Sequence, residues 1–486
     1  ERVDWLGRID SDTLVHVLAQ AELDWRSLSR CLLVCRSFRF GIVEAALWQR
    51  AKRQQRLVPQ ALPQREISWT QWLVREESRR NRSSSTHAVA SSASHSAFVS
   101  GGRLLVCGQD DNAEGLLGQG EHVIEALVPL PTSGHCRCVR IAGVSAGYSH
   151  TLALSSGGAA FSFGFGGDGR LGHGDVQCQH SPRAIEALAG VTVCAVATGC
   201  AHSLALSVAG DVHTFGWGRD GQLGLGDGHS QWLPKALAAL LPERVWEVAA
   251  GVSYSLALTD RGELYTFGDG STCQLGHGDR KDRFQPTLVE ALKGVKVRSV
   301  AAGEYHTCAV TEDGALYTWG NGASGKLGHG DRQTQTIPMR VAALGKAIRS
   351  VAAGREHTLA VSESGTVYSF GHGGRCQLGV DASVEEQLTP QPVPGLEGIC
   401  VQEVAAGYYT SLAVTSDGAV FGWGQGSNCW DEEEPADVWQ ETSHLEAEYD
   451  DQRPVIEPCA VLGLGLVCDE RAPRRYQLRV DVVGMV

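Results

Sequence analysis

Ala146-Gly147-Tyr148-Ser149-His150-Thr151-Leu152-Ala153-Leu154 is one of a series of similar segments, whose later members carry their glycine at Gly199, Gly251, Gly303, Gly354 and Gly407. The glycines are 52, 52, 52, 51 and 53 residues apart. Ser92 holds the equivalent place 55 residues before Gly147, because Ala88-Val89-Ala90 and His95-Ser96 align around it. Seven units of this length make a repeat protein, in which each unit must stack on its neighbours to bury its apolar face.

Each unit reads as strands. Thr307-Cys308-Ala309-Val310 and Ala315-Leu316-Tyr317-Thr318-Trp319 are apolar, β-rich runs on either side of Glu312-Asp313-Gly314, the pattern of a hairpin closed by a glycine turn. Val297-Arg298-Ser299-Val300-Ala301-Ala302 supplies another strand. A second signature, Lys326-Leu327-Gly328-His329-Gly330-Asp331, recurs around Gly172, Gly224 and Gly276, weakens at Gly118 and Gly379, and is lost after Gly426-Ser427-Asn428. The 59 glycines are spread along the chain as turn punctuation. Four short strands repeated seven times predict a mainly β fold, a seven-bladed β-propeller over residues 86–430. These motifs resemble the regulator-of-chromosome-condensation repeat. The resemblance implies that a strand from one terminus pairs into the last blade to close the ring; Thr86 to Ala90, or the tail after Arg453, could supply it.

The rest of the chain differs in character. Of its 42 basic and 55 acidic residues, 15 and 10 fall in residues 1–82, leaving 27 against 45 for the remainder. A basic run from Arg75 to Arg82 passes through Ser83-Ser84-Ser85 into the repeats, and reads as the solvated face of a helix in a connector spanning residues 56–85. Residues 1–55 read as a small all-α domain. Asp10 or Ser11 caps a helix bearing Leu14, Val17 and Leu18, and Asp24 caps one bearing Leu28, Cys31, Leu32, Cys35 and Phe38. Residues 431–486 read as an acidic tail that opens with Asp431-Glu432-Glu433-Glu434.

Leu6, Asp12, Leu14-Val15-His16-Val17-Leu18, Leu28, Val34-Cys35-Arg36 with Phe38, and Leu47-Trp48 together resemble the F-box motif, with Gly7 departing from the proline usual in that family. The resemblance implies an adaptor-binding face made of Leu6, Leu14, Val17, Leu18, Leu28, Cys31, Val34, Cys35, Phe38, Leu47 and Trp48, docked on the Skp adaptor of a cullin ubiquitin ligase. About 50 residues in three short helices cannot bury so many apolar side chains unaided, which agrees with a partner-facing surface.

Composition excludes several classes. Hydrophobic residues at 43% and charged residues at 20% are ordinary for a globular protein, and no apolar run of about 20 residues could span a bilayer. The sequence starts at Glu1 without a basic-then-apolar leader, so its natural start is expected upstream. Fifteen scattered cysteines with no Cys-x-x-Cys fit neither a disulfide framework nor a zinc ribbon. They read as small buried hydrophobes in a reducing cytoplasmic or nuclear compartment.

Apparent catalytic motifs dissolve in context. Gly164-Phe165-Gly166-Gly167-Asp168-Gly169 and Gly320-Asn321-Gly322-Ala323-Ser324-Gly325 satisfy the dinucleotide-binding glycine pattern, yet no helix pattern or ribose-binding carboxylate follows, so no cofactor is expected. His150, His202, His306 and His357 recur once per blade, which suits a structural hydrogen bond better than a metal. No nucleophile stands beside a base, and the chain reads as a non-enzyme. Between the anchor glycine and the histidine the residues vary. Repeat geometry gathers these positions near the central channel, making Tyr148, Glu304, Tyr305, Arg355, Tyr408 and Tyr409 the expected substrate contacts.

The sequence therefore predicts a substrate-recognition adaptor of a Skp-cullin-F-box ubiquitin ligase, which favours basic protein targets through its acidic repeats and binds neither nucleic acid nor membrane. The alternatives are nucleotide exchange on a Ran-like small GTPase, which the repeat resemblance suggests, and a non-ligase propeller scaffold. Light sensing, a property of a plant relative with the same repeats, would need a tryptophan after the anchor glycine. That place holds Tyr148, Cys200, Val252, Glu304, Arg355 or Tyr408, and Trp217, Trp319 and Trp423 read as blade core.

Overall fold

The hairpin read from Thr307 to Trp319 forms as His306–Thr311 against Leu316–Gly320, with Val310 opposite Leu316 and Gly314 closing the turn at φ 79°. Val297–Ala302 pairs with its inner side and Gln335–Arg340 with its outer side, which makes a four-stranded antiparallel sheet. The computed structural model repeats this sheet around a ring. It describes residues 89–415, apart from 101, 109–113, 119–127, 130–138, 346 and 382, together with 420–424, 465–466 and 478–479. Residues 1–55 and 56–85, with every residue of the expected adaptor-binding face, lie outside the described residues.

Seven sheets fall between Val89 and Gly424, six of four strands and one of three. The first strands of successive blades, among them Ile141–Ala146, Val193–Thr198 and Val245–Ala250, touch one another and line the centre. Second strands such as His202–Ser207 are buried throughout, whereas outer strands such as Gln231–Ala236 are largely exposed. Each outer strand in blades 2 to 6 carries a proline, namely Pro182, Pro234, Pro286, Pro338 and Pro390. Each falls where the pairing with the third strand shifts register, so the missing N–H costs no ladder bond.

Blades are joined by one hydrogen-bond relay. His150 Nε2 lies 2.9 Å from Ser203 Oγ of the next blade, and that hydroxyl donates to the Arg170 carbonyl of the first at 2.8 Å. His202 with Ser255 and the Gln222 carbonyl repeats the pattern, as do His306 with Thr358 and the Lys326 carbonyl, and His357 with Ser411 and the Gln377 carbonyl. Because each hydroxyl spends its proton on the carbonyl, the imidazole must donate from Nε2, which leaves Nδ1 as a bare acceptor. Nδ1 of these four rings is indeed buried without a partner. It lies under the anchor glycine, where an added Cβ would meet the ring at 2.3–2.7 Å. Close approach, and not a special φ, therefore requires glycine there. Ser92 confirms its place in the series, since its N–H bonds the His95 carbonyl as Gly147 does for His150, and its hydroxyl lies 3.0 Å from His95 Nδ1.

A second joint is apolar. Phe215, Phe267, Trp319, Phe370 and Trp423 sit against the Leu-Gly turn of the preceding blade, within 2.6–3.0 Å of where a Cβ on Gly172, Gly224, Gly276, Gly328 or Gly379 would stand. Trp319 and Trp423 also donate Nε1–H to the Gln274 and Gln377 carbonyls at 2.9 Å. Trp217 departs from its expected place in the core. It is half-buried in a loop, with its Nε1–H on Asp220 and the Arg219 guanidinium 5.0 Å from its ring.

The ring closes between blades 7 and 1 with different parts. Val89, Phe98 and Leu105 pack against Leu412 and Val420. Thr410 replaces the histidine, and its short hydroxyl reaches Ser91 Oγ at 2.6 Å, which in turn meets Ser96 Oγ at 3.0 Å. Val89–Ser91 is the innermost strand of blade 1 and pairs with His95–Ser100, so the expectation that Thr86 to Ala90 adds a strand to the last blade is corrected. Gly465–Leu466 and Leu478–Arg479 pair with each other, and the latter packs against Val420–Gly424.

Of the described cysteines, Cys194, Cys273 and Cys308 are buried as expected, but Cys400 is exposed. Cys273 and Cys376 adopt positive φ at 66° and 60° where sister repeats use Gly169, Gly221 and Gly325.

Burial pushes the imidazoles of His202 and His357 down to about 3 and those of His150 and His306 well below their ordinary value. In the unfolded chain these rings protonate near pH 6.5, so below that pH the unfolded state binds more protons. Calorimetry should find Tm level above about pH 7 and falling steadily from about pH 6.5 towards 3. His306→Ala, which leaves a cavity and strips a partner from Thr358, should lower the unfolding free energy by about 2–4 kcal/mol in denaturant titrations at neutral pH.

Candidate functional site

The turn after each innermost strand is tied to its neighbour. Tyr148 N–H donates to the Gly199 carbonyl, Glu304 N–H to Gly354, Arg355 N–H to Gly407 and Tyr408 N–H to Ser92, at 3.2–3.4 Å. These bonds fix a ring of backbone at one mouth of the channel. Tyr148, Cys200, Val252, Glu304, Arg355 and Tyr408 stand on it around about 460 Å³ of empty space open to solvent. Below them the innermost strands end in small residues, Ser91, Ala146, Thr198, Ala250, Ala302, Ala353 and Ala406.

The mouth is asymmetric. Blade 1 offers only Ala93 at this level, and across it the rings of Tyr148 and Tyr408 meet edge to face, with centroids 5.6 Å apart. Tyr408 and Tyr409 make a second perpendicular pair at 6.2 Å. The Arg355 guanidinium lies 5.0 Å from the Tyr408 ring and 5.6 Å from that of Tyr409, donates Nη1–H to the Tyr409 hydroxyl at 2.9 Å, and brings Nε to 2.9 Å from Glu304 Oε2. Arg375 covers Tyr409 at 4.5 Å.

Charge in the mouth is incompletely matched. Burial raises the Glu304 carboxyl above the usual carboxylate range, although Arg355 and the Tyr305 hydroxyl pull the other way. Burial opposes the Arg355 cation too, but Glu304, Tyr409 and Tyr408 more than offset it and hold its pKa up. The two directions disagree on how well the pair is satisfied, and geometry explains why. Glu304 Oε2 is at ion-pair distance but receives no well-aligned N–H, so the acid is desolvated more than it is hydrogen-bonded. Behind the mouth, buried Lys326 pairs with Glu356, and buried Arg170 holds Asp168 at 2.9 Å and the Cys200 carbonyl at 3.1 Å.

Four of the six expected contacts, Tyr148, Glu304, Arg355 and Tyr408, line the mouth. Tyr305 and Tyr409 stand one residue further along, where Tyr305 bonds Glu304 and Tyr409 backs Arg355. Arg375 and Lys326 were not singled out from sequence. Lys326 had a signal, since Gln222, Gln274 and Gln377 fill the same place before Leu-Gly elsewhere. The glycine patterns carry no dinucleotide-binding helix: Gly164 ends a strand and Gly167–Gly169 is a single tight turn with Asp168 at φ 62°. Among the described residues no three His, Cys, Asp or Glu side chains gather as a metal set, and no helix is long and apolar enough to cross a membrane.

Blades, relay and channel mouth together define a seven-bladed β-propeller with a built cluster of aromatic and charged side chains at one opening. Its lineage is equally plain: the chain belongs to the RCC1-like domain family, whose model matches residues 60–344, and regulator of chromosome condensation (RCC1) repeats match residues 364–414. It is similar to the ultraviolet-B receptor UVR8 of Arabidopsis thaliana, 40% identical over 283 residues that make up 58% of this chain and 64% of the receptor. It is also similar to the E3 ubiquitin-protein ligase HERC2 of Homo sapiens, at 35% identity over 72% of this chain and 7% of the ligase. The crystal structure of human WBSCR16 superimposes with a TM-score of 0.60 at 25% identity, covering 66% of this chain and 84% of that one.

Burial, followed by Glu304, holds the Tyr408 hydroxyl far above the ordinary tyrosine value. In spectrophotometric titration of the folded protein, Tyr408→Phe should therefore leave the phenolate absorbance rise near pH 10 unchanged.

Proposed function

We propose that this chain is a target-recognition subunit in which the channel mouth captures a segment of a basic protein and residues 1–55 dock a Skp-type adaptor, making it the substrate receptor of a cullin ubiquitin ligase. The observation that carries the capture role is the asymmetric cluster of Tyr148, Tyr408, Tyr409, Arg355 and Glu304 at the mouth. Aromatic rings and partly matched charges on a rigid backbone are what a peptide-binding opening needs, because they add contact area at small entropic cost. The net charge of −13 steers basic partners toward the ring. The ligase role rests on the F-box-like residues Leu6 to Trp48. Catalysis would then belong to other subunits, and the setting would be the cytoplasm or nucleus.

Two experiments on the full chain separate the halves of this reading. Purified Skp adaptor should be captured by the wild type and lost from the Leu14→Asp/Val17→Asp variant by well over tenfold, since each buried anchor is worth roughly 1.5–3 kcal/mol. If the wild type failed to bind, a non-ligase propeller scaffold or an exchange factor for a small GTPase would be the better account. For the mouth, alanine at Tyr148, Glu304 and Tyr408 together should abolish capture of basic target proteins in pull-downs, and unchanged capture would end the claim.

A further inference from the structure

Arg355 sits inside what is itself a binding site. Its guanidinium has two aromatic faces beside it, Tyr408 and Tyr409, a hydroxyl acceptor in Tyr409 and a carboxylate in Glu304. Faces for stacking combined with oxygens along the N–H edge suit a planar guanidinium better than a compact ammonium. Yet the fit is poor where it should be strongest. The Glu304 side chain is only 8% exposed, and its Oε2 accepts no aligned hydrogen bond, although a carboxylate can take two parallel N–H groups from one arginine. Arg355 approaches it from the side, through Nε.

Room remains for a better ligand. Tyr148 is 44% exposed, and its ring makes an edge-to-face pair with Tyr408. Opposite stand Cys200 and Val252, with the small residues Ala250, Ala302 and Ala353 lining the channel below. The Arg355 side chain is 34% exposed on a long stem with several rotatable bonds, while the backbone around it is held by the hydrogen bonds between blades.

We propose that the channel mouth is a guanidinium-recognition site, in which Arg355 occupies the place of an arginine side chain of the bound protein segment and moves out when that arginine enters. The inference rests on reading the mouth as the capture site and names what it captures. An arginine coming along the channel axis meets Glu304 head-on and stacks against Tyr408, while Arg355 turns to solvent. Arg355 thereby acts as an internal competitor, and apparent affinity is reduced by the fraction of molecules in which it fills the site.

The test uses the full-length protein and fluorescent peptides of glycine and serine carrying one central arginine, lysine or citrulline. The arginine peptide should bind about tenfold more tightly than the lysine peptide, and the citrulline peptide should show no binding. Arg355→Ala should bind the arginine peptide about tenfold more tightly than the wild type, and should gain a thermal shift with millimolar methylguanidinium that the wild type lacks. Glu304→Gln should lose both effects, with circular dichroism confirming that it is folded. Competition by free arginine amide as strong as that by the peptide would support the site and assign recognition to the guanidinium itself; weaker competition would support it with flanking residues contributing. Weaker binding by Arg355→Ala than by the wild type would overturn the inference by making Arg355 a direct contact, and would leave target capture at the mouth standing. Failure of both proteins to bind any arginine peptide, or equal binding of arginine and citrulline, would overturn it as well.

Discussion

The ring depends on a hydrogen bond that crosses from one blade to the next and returns: imidazole Nε2–H to a hydroxyl, hydroxyl to a main-chain carbonyl. Both ends are buried, so losing either strands polar atoms away from water. The relay also dictates sequence around it. It fixes the imidazole tautomer, which leaves Nδ1 facing the anchor turn; glycine lets the backbone come that close in four blades, and in blade 1 Ser92 meets His95 Nδ1 with its hydroxyl. Tyr254 reveals the requirement by breaking the pattern, because its hydroxyl donates to the His306 carbonyl at 2.6 Å and accepts from Thr307, restoring the link with other atoms.

Much of this was legible before any coordinates. The anchor spacing gave the blade count, and the apolar runs around Glu312-Asp313-Gly314 gave the strand pairs, because repetition and period-two patterning express the same need to bury one face against a neighbour. The histidines read as structural because they recur around the ring and do not converge. What sequence could not supply was the direction of their bond, which leaves the blade. The serines and threonines that receive it lie about 53 residues away in the next repeat, beyond any local pattern.

The seam between blades 7 and 1 is legible only in part. Of the two terminal segments that the sequence offers for it, the first runs into blade 1 as Val89–Ser91, while the tail after Arg453 brings Leu478–Arg479 against Val420–Gly424. The joint itself lacks both halves of the usual apolar lock: the Leu-Gly turn ends with blade 6, and Cys107 stands where the other blades place Phe or Trp. Thr410, Ser91 and Ser96 take over with short hydroxyl contacts. At the mouth, positions were readable while partners were not. Tyr148 and Tyr408 belong to blades separated by blade 1, so their contact is set by the ring and by no local pattern.

The prolines of the outer strands have a consequence for life at high concentration. An exposed sheet edge with free N–H groups is a template on which another chain can grow, and seven such edges on one disc would invite lateral polymerisation. In blades 2 to 6 a proline near the middle of the outer strand removes one donor from the open edge. Each of these prolines also falls where the pairing with the third strand shifts register, so an incoming strand would meet an interrupted edge. Five of the seven blades thus present an edge poorly suited to backbone pairing with a copy of itself.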